Sequence, residues 1–431
     1  MDTISRLSDD LLVRILSFNP TKDVILTSPL SKRWRSLWTL VPKLEYECIQ
    51  NQEQKFTKFV YRTTLLNKAP LLERLDLKIH KLGPECNAVD VGIWIDIAVS
   101  RKVSALEIDI CLYREGSISC FPRSLYSCET LESLKLTNHH SFLVDVPSAV
   151  NLPSLRKMWL MVVDLAVNAS LHRVLSGCPN LEELTLTRED CVKGVDQSMD
   201  FTIDVPSLKI LSVIDKRSSG ESSNGYVINA PSLTHLRVND DLLYDNRRMK
   251  HMPELVTADV GITNGVSNHK FLKALTCVTR LDLCLSLSEV ADPPEMTFHQ
   301  LVELNLSTCV QGWWDLLTHM LQNSPKLQIL KLVNVRNHRV KDQSSIGTPD
   351  DWKRPSSVPE CLLNCFETFK WCGYKGRQGD KEVATFVLTN AIHLKSATFL
   401  LESTDFKEKY EMVKELASLP TPSPSSQLLF D

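Results

Sequence analysis

The amino-acid sequence predicts an α/β solenoid, in which a three-helix module at the amino terminus is followed by a curved domain of stacked repeats and a closing cap. Two observations support this prediction: an apolar frame that recurs along most of the 431 residues, and a short amino-terminal segment with helix-capping signals. Each frame reads apolar, two others, apolar, one other, apolar. The thirteen frames begin at Leu72, Val103, Leu131, Leu155, Leu181, Leu208, Leu233, Leu255, Val278, Leu301, Leu327, Phe366 and Leu394.

The spacing within each frame explains why a solenoid is expected. The last two apolar residues are two apart, so in a strand they point to the same side. One such unit cannot bury that side alone, but stacked neighbours can, and successive frames begin 22 to 39 residues apart. This pattern is the signature of leucine-rich repeats, which we assign to residues 71–340. Leucines scattered through a globular core, the alternative, would not keep one offset thirteen times.

The composition indicates a soluble, folded protein. Charged residues make up 23% of the chain and the net charge is -3, so we expect neither nucleic acid nor membrane as a partner. The thirteen cysteines include no Cys-x-x-Cys pair, and the start of the chain lacks a secretory hydrophobic segment. The longest apolar run, Met158 to Val163, is too short to span a membrane. We therefore expect reduced thiols and a cytoplasmic or nuclear location.

The amino-terminal segment, residues 7–38, predicts three short helices. Ser8 or Asp9 can cap the first, whose apolar side chains then share one face; Pro20 ends it, and Thr21 can cap the second. Ser31 can cap a third helix that carries tryptophans. Three short helices cannot enclose much core, so some of these apolar side chains must contact either the solenoid or a partner protein.

The residues of this segment are more specific than its composition. The run LSDDLLVRILSFNPTKDVILTSPLSKRWRSLW resembles the F-box in its plant form, and we assign residues 1–45 to it. The resemblance implies docking onto a Skp-type adaptor, and through it onto the cullin of a ubiquitin ligase. The implied adaptor-binding residues are Leu7, Leu11, Leu12, Ile15, Leu16, Pro20, Leu26, Leu30 and Trp34.

Three positions depart from the F-box pattern. Ser8 stands where proline is preferred, Asn19 where leucine is preferred, and Pro29 is expected inside the second helix, so we expect weaker adaptor binding. The basic run Lys32 to Arg35 surrounds a tryptophan, a combination that also occurs in nucleic-acid-binding proteins. Its three charges are few for such binding, and the F-box resemblance accounts for all of them.

Residues 46–70 predict a helical linker that caps the first repeat, because apolar residues recur there at helical spacing. Insertions between the repeats are the places where we expect client specificity, since loops on a rigid scaffold vary without disturbing the core. Flexible connections without any ligand are the alternative for each. The insertions are 188–200, 215–225, 240–251, 287–298 and 336–357.

The pattern of residues in the carboxy-terminal part of the sequence changes near Arg354. Residues 352–402 resemble the FBD domain that follows F-box and repeat segments in many plant proteins, and they predict a strand, a helix and a strand. The resemblance implies no catalytic activity. The last residues, 418–431, are rich in proline and serine and predict a disordered tail.

Enzymatic readings are weaker. The glycines from Gly373 to Gly379 match neither the dinucleotide nor the phosphate-loop spacing, so turns are expected. Cys361, Cys365, Cys372 and His393 could suggest zinc, but their spacing fits no known finger or ribbon. We therefore expect no catalytic residue, cofactor or metal.

The sequence analysis thus favours a non-catalytic substrate-recognition subunit of a cullin-based ubiquitin ligase, which binds an unknown client protein through its repeats. Three other functions stay open. They are a ligase-independent binding scaffold, a small-molecule receptor of the same architecture, and a hydrolase whose nucleophile and base occur at no interpretable spacing.

Overall fold

The computed structural model describes residues 4–48, 53–80, 87–110, 121–138, 146–161, 168–188, 201–215, 226–240, 248–250, 252–262, 272–285, 296–309, 312–334, 352, 354–420, 422–423 and 426–431. The chain divides into two compact units. The first contains Met1–Ile210 with Tyr226–Ala230, and the second contains Leu211–Gly225 with Pro231–Asp431.

The first unit is built on six parallel strands that follow one another in chain order. These are β1 (Lys43–Cys48), β2 (Arg74–Ile79), β3 (Ala105–Ile110), β4 (Ser133–Asn138), β5 (Lys157–Met161) and β6 (Glu183–Arg188). Its helices are α1 (Asp9–Leu16), α2 (Thr21–Leu26), α3 (Trp34–Leu37), α4 (Glu53–Leu66), α5 (Ala88–Ser100) and α6 (Asn168–Ser176). The short strands β7 (Phe201–Asp204) and β9 (Tyr226–Asn229) form a separate parallel pair.

The frame residues account for this sheet. In the register between β2, β3 and β4, Leu75 lies opposite Leu106, and Leu106 lies opposite Leu134. Each of these side chains is almost fully buried. The apolar positions therefore stack repeat upon repeat into a continuous core, as the solenoid prediction requires.

The sheet begins earlier than expected. The linker assigned to residues 46–70 overlaps β1, which pairs in register with β2, and then contains α4. Val41, Leu44 and Tyr46 form a further buried frame, with an aromatic residue in the third place. The phenol oxygen of Tyr46 lies 2.8 Å from the hydroxyl of Thr63, so α4 satisfies the one polar atom of this frame.

The second unit continues the same pattern, with its strands in the order β8-β10-β12-β13-β14-β15-β16-β17-β18. Its strands are β8 (Ile210–Asp215), β10 (His235–Asp240), β11 (Arg248–Met249), β12 (Thr257–Ile262), β13 (Arg280–Leu285), β14 (Glu303–Ser307), β15 (Ile329–Val333), β16 (Thr368–Tyr374), β17 (Ser396–Leu401) and β18 (Gln427–Phe430). Its helices are α7 (Trp313–Asn323), α8 (Glu360–Asn364), α9 (Gln378–Asn390) and α10 (Phe406–Ala417). Pairing is parallel from β10 onward.

The segment that resembles an FBD domain contributes the strand, helix and strand predicted for it, namely β16, α9 and β17. The two glycines before α9 have left-handed backbone conformations: Gly373, at a register shift within β16, has φ of 86°, and Gly376, between β16 and α9, has φ of 65°. Gly379, for which a turn was also expected, lies inside α9. A Cβ on Gly376 would lie 2.9 Å from Cγ of Met412, so this position needs glycine for both space and conformation.

The prediction of a disordered tail over 418–431 is wrong for its last residues. β18 pairs with β17 in parallel, and the ring of Phe430 stacks on that of Phe399 with centroids 6.2 Å apart. The apolar residues Leu428 to Phe430 and the open edge of β17 outweigh the proline and serine content there.

The insertions that we expect to determine client specificity are mostly outside the described residues. They are the segments 188–200, 215–225, 240–251, 287–298 and 336–357. Within the described part of the chain, none of the helices has the length and apolar character needed to cross a bilayer.

Candidate protein-docking surface

The amino-terminal module consists of α1, α2, α3 and the single-turn helix Ser28–Leu30. Ser8 caps α1, because its hydroxyl accepts a hydrogen bond from the backbone N–H of Leu11 at 3.4 Å. α2 ends at Leu26, so Pro29 lies in the following turn and not inside the second helix as expected. Ser8 and Pro29 therefore fit the local backbone where they stand.

The interior of the module is small. Its buried side chains come from α1, α2, α3 and the segment that leads into β1, with the rings of Trp34 and Trp38 packed against them. They are Leu12, Leu16, Val24, Leu37 and Val41. Two of the nine residues expected to bind the adaptor, Leu12 and Leu16, thus lie in the core, with 0% and 3% of their surfaces exposed. Their burial places them outside any surface that a partner could contact.

Five of the other expected adaptor-binding residues are exposed. Leu11 and Ile15 are about half exposed on the outer side of α1, and Leu26 and Leu30 expose 66% and 68% of their surfaces. Pro20 is exposed at the start of α2. Since exposed large apolar side chains are costly to solvate, this concentration indicates a protein-binding surface.

The last two expected residues, Leu7 and Trp34, are partly buried against the module core.

The sequence analysis missed Phe18, which is 79% exposed just after α1. The signal was available: Leu11, Ile15 and Phe18 recur at i, i+4 and i+7, which marks one helical stripe. The analysis instead grouped Leu11 and Ile15 with Leu12 and Leu16 on a single face. In the structure these leucines and isoleucine divide between two faces, one inward and one outward.

The basic run 32–35 serves the module internally. The guanidinium of Arg33 lies 2.6 Å from the carboxylate of Asp9 and donates to the carbonyl oxygen of Leu7 at 2.5 Å. These contacts tie the third helix to the start of the first. One of the three clustered charges is therefore engaged within the chain, which further weakens the nucleic-acid interpretation.

The module is also attached to the first repeat. The backbone N–H of Glu45 in β1 donates to the hydroxyl of Thr21 at 2.8 Å. Beside α4, the Asn67 amide donates to the carbonyl of Val41 at 2.9 Å, and Arg101 donates to the Asn67 side-chain oxygen at 2.6 Å. Buried hydrogen bonds of this kind hold the module in one orientation on the first strand.

The strands carry a second candidate surface, which we call the open face: the side chains that alternate with the buried ones. In the first unit, Arg74 contacts Asp76 at 2.8 Å and Glu107 at 2.7 Å, and Lys135 contacts Glu107 at 2.6 Å. Burial opposes ionisation of Glu107, but the hydrogen bond and charge of Lys135 outweigh it and lower its pKa. The pKa of Asp76 is raised, because its burial dominates.

The open face of the second unit repeats this chemistry. Lys331 contacts Glu303 at 2.6 Å, and Arg280 lies 3.8 Å from the same carboxylate. Such interlinked charges on neighbouring strands suit recognition of a complementary polar surface, because a partner must match them to displace water.

The cysteines considered for zinc have other contacts. Cys361 is buried with its Sγ 3.6 Å from the carbonyl oxygen of Leu321, and burial raises its pKa to about 12. Cys365 lies 3.4 Å from the carbonyl oxygen of Pro325. Among all residues that the structure describes, no group of His, Cys, Asp or Glu side chains has the arrangement of a metal site.

A small cavity lies inside the first unit. Its volume is about 20 Å³, and its lining is apolar, with Leu134, Leu136 and Met158 among the contributors. This volume holds about one water molecule, whereas ligand pockets are typically several hundred Å³. The cavity therefore does not support a small-molecule receptor.

Family models match three parts of the chain. Residues 4–46 match the F-box domain, residues 91–260 match the repeats of "FBD-associated F-box protein At5g56370, LRR repeats", and residues 353–399 match FBD. The three matches follow one another along the chain in the same order as the amino-terminal module, the repeat strands and the β16-α9-β17 segment.

Similar proteins from Arabidopsis thaliana match over the whole chain. F-box/FBD/LRR-repeat protein At4g26340 is 54% identical, with 100% of both chains covered. F-box/FBD/LRR-repeat proteins At5g56420 and At3g52680 are each 41% identical over 100% of this chain, covering 99% and 93% of their own lengths.

One solved structure, the TLR13-ssRNA13 complex, gives a TM-score of 0.33 at 15% identity, covering 87% of this chain and 58% of that one. This is too low to bear on the assignment. The full-length similarity to curated relatives and the three ordered domain matches show that this chain belongs to the F-box/FBD/LRR-repeat family.

Proposed function

We propose that this chain is the substrate-recognition subunit of a Skp-cullin-F-box ubiquitin ligase. The module docks on a Skp-type adaptor, and through it on the cullin, by the exposed side chains of Leu11, Ile15, Phe18, Leu26 and Leu30. The open faces of the repeat strands, with the loops between them, bind a client protein. The chain itself performs no bond chemistry in this proposal.

The observation that carries the proposal is the exposure of these five apolar side chains on a module whose interior is already filled. A module that served only to cap the first repeat would turn its largest apolar side chains toward that repeat. Here Leu26, Leu30 and Phe18 each expose about two-thirds or more of their surfaces. Burying large apolar side chains of this type against a partner contributes favourably to binding.

The function follows from proximity. Other subunits carry ubiquitin as an activated thioester, and the chain would hold a client lysine within reach of it, which converts a bimolecular encounter into a local one. A rigid attachment between module and first repeat favours this role, because it preserves the orientation of whatever the repeats bind. Thr21, Asn67 and Arg101 supply that attachment.

Binding of the purified full-length chain to a plant Skp-type adaptor tests the proposal by calorimetry. We expect Ile15→Ser with Leu30→Ser to weaken binding by at least about tenfold, because each buried anchor is worth more than about 1.4 kcal/mol. Leu65→Ser is the matched control: Leu65 is a leucine with 75% exposure on α4, outside the module. Its substitution should leave the affinity unchanged.

The ligase-independent scaffold makes the opposite prediction. If the wild-type chain fails to bind the adaptor while keeping its fold, as circular dichroism reports, the scaffold is the better account. Equal affinity of wild type and the double variant would show that binding uses another surface.

Clients are accessible by proximity labelling in cells whose proteasome is inhibited. Proteins labelled by the wild-type chain should accumulate ubiquitin, whereas the adaptor-binding double variant should label the same proteins without that increase. The cytoplasmic or nuclear location stays a prediction, which microscopy of the tagged chain checks.

A further inference from the structure

Two cysteines from neighbouring repeats meet on the open face of the second unit. Cys284 lies near the end of β13, directly after Leu283, which pairs with Leu306 of β14. Cys309 follows the end of β14 by two residues. Their Sγ atoms are 3.7 Å apart although 25 residues separate them in the chain.

Both thiols are partly exposed rather than buried. This distinguishes them from Cys178, whose Sγ contacts the carbonyl oxygen of Val174 in the core and whose burial raises its pKa to about 12. A thiol needs solvent access and a thiolate form to react, and Cys178 lacks both. Cys284 and Cys309 are partly exposed residues, and of these two only Cys309 has a lowered pKa.

The surroundings of the pair favour a thiolate on Cys309. The hydrogen bond between the Cys284 and Cys309 sulfurs lowers the pKa of Cys309 and outweighs the opposing effect of burial, and the hydroxyl of Ser307, 2.9 Å from the same sulfur, lowers it further. The pKa of Cys284 is raised by the same hydrogen bond and by burial. The Cys309 sulfur is thus favoured as the nucleophile, and the Cys284 sulfur stays protonated beside it.

We propose that Cys284 and Cys309 form a peroxide-reactive dithiol, a covalent modification site on the open face of the repeats. Cys309 is the nucleophile and Cys284 is the resolving thiol. Ser307 positions a hydroxyl beside the nucleophilic sulfur. The oxidant is hydrogen peroxide.

The chemistry balances in two steps. The Cys309 thiolate attacks one peroxide oxygen, the O–O bond breaks, and the products are a sulfenic acid on Cys309 and hydroxide. The Cys284 sulfur then attacks the Cys309 sulfur, an S–S bond forms, the S–O bond breaks, and water leaves with the thiol proton. In total, two thiols lose two electrons and the peroxide becomes two water molecules.

The product would link two consecutive repeats across the face that we propose for client binding. Side-chain rotation has to bring the sulfurs from 3.7 Å to a bond of about 2 Å. The disulfide would remove two hydrogen-bonding groups from the open face and join β13 to the segment after β14. Client binding through this part of the surface would then respond to peroxide.

Peptide mass spectrometry of the full-length chain tests the site. Limiting hydrogen peroxide is added, remaining thiols are alkylated, and the chain is cut without reduction after Lys, Arg and Glu. Cleavage after Arg280, Glu289, Glu303 and Lys326 places Cys284 on peptide 281–289 and Cys309 on peptide 304–326, each with no other cysteine. We expect these two peptides to be the dominant cross-linked pair.

Single substitutions separate the two roles. In Cys284→Ser, the sulfenic acid should persist on Cys309 and be trapped by dimedone, with no cross-link. In Cys309→Ser, dimedone labelling at Cys284 should be absent. Cys372→Ser, at a partly exposed cysteine of β16, is the matched control and should leave the cross-link unchanged. In the wild type, iodoacetamide should label Cys309 about tenfold faster than Cys372.

The proposal is overturned if the wild-type chain, folded by circular dichroism, yields no 281–289 to 304–326 cross-link while Cys372 is oxidised. It is also overturned if Cys309 and Cys372 react at equal rates. Neither result depends on a variant that folds, and neither bears on adaptor binding, so failure here leaves the proposed ligase role intact.

Discussion

The repeat strands and the amino-terminal module use the same kind of side chain but bury it to different extents. Leu77 of β2 and Leu106 of β3 expose 0% and 1% of their surfaces, whereas α1 buries Leu12 and leaves Leu11 49% exposed. A strand inside the sheet has a neighbour on each side, whereas three short helices pack around a small core that covers only one face of each. The comparison teaches that leucine spacing predicts an apolar face, and that the number of neighbours decides whether this face is covered.

The largest test of this contrast lies in the sheet. We expect Leu106→Ala to lower the free energy of unfolding by about 2–5 kcal/mol, because the strands on both sides prevent the cavity from collapsing. Urea unfolding followed by circular dichroism measures the loss. Leu65→Ala, at an exposed leucine of α4, should change stability by less than about 0.5 kcal/mol. A similar loss in both would mean that stacking does not determine burial.

The second test stays within α1. Leu12→Ala should lower the stability of the module by about 2 kcal/mol, at the low end of the range for buried leucines because this core has few neighbours. Leu11→Ala should cost less than about 0.5 kcal/mol yet weaken adaptor binding. Hydrogen exchange of the α1 amides measures both variants. Equal protection loss would contradict the division of α1 into an inward and an outward face.

A smaller effect is expected from the polar link that ties the module together. Arg33→Met removes the contact with Asp9 and the hydrogen bond to Leu7, and should cost about 1 kcal/mol, since exposed ion pairs and single hydrogen bonds each contribute modestly. Thermal unfolding of the full chain measures it. Arg35→Met, at an exposed arginine of the same helix, serves as the control and should leave the unfolding temperature unchanged.

The smallest effect is electrostatic and lies on the open face of the first unit. Because the pKa of Glu107 is lower in the folded chain, its ionised form stabilises the fold above the pKa of the unfolded chain, and this contribution fades as pH falls through the folded value. We expect Glu107→Gln to cost under about 1 kcal/mol at pH 7 and less at pH 3. Urea unfolding at both values checks the difference, with the exposed Glu132→Gln as control. A cost independent of pH would show that shape, not charge, matters at this position.

Much of the fold was predictable. The frame at Leu255, for example, contains only alanine and valine in its other two places, yet Ala258 and Val260 are buried as predicted. The offset of three and then two residues is a local property, and it survives changes in side-chain size. Strands were harder to predict from the sequence where a frame residue carries a polar atom or where the surrounding segment is rich in proline and serine.

Two of the strands that the frames did not predict, β1 and β18, illustrate that limit. β1 carries Tyr46, whose buried hydroxyl is satisfied by hydrogen bonds with Thr63 and Thr64 on α4. β18 lies in a proline-rich and serine-rich stretch, and its Phe430 gains a stacking partner only from β17. In both cases the stabilising group belongs to another helix or strand. The local sequence pattern does not show which residues of a distant element will lie nearby.

The candidate docking surface was half predictable. The sequence by itself determined the F-box and FBD resemblances, the frame spacing and the Ser8 cap of α1, because these depend on residues within a few positions of each other. The expected cap Thr21 was wrong, since it lies inside α2. Only the tertiary structure decided that Leu12 lies inward and Leu11 outward, and that the thiols of Cys284 and Cys309 approach to 3.7 Å. Both depend on which side of an element another element covers, and packing over tens of residues sets that.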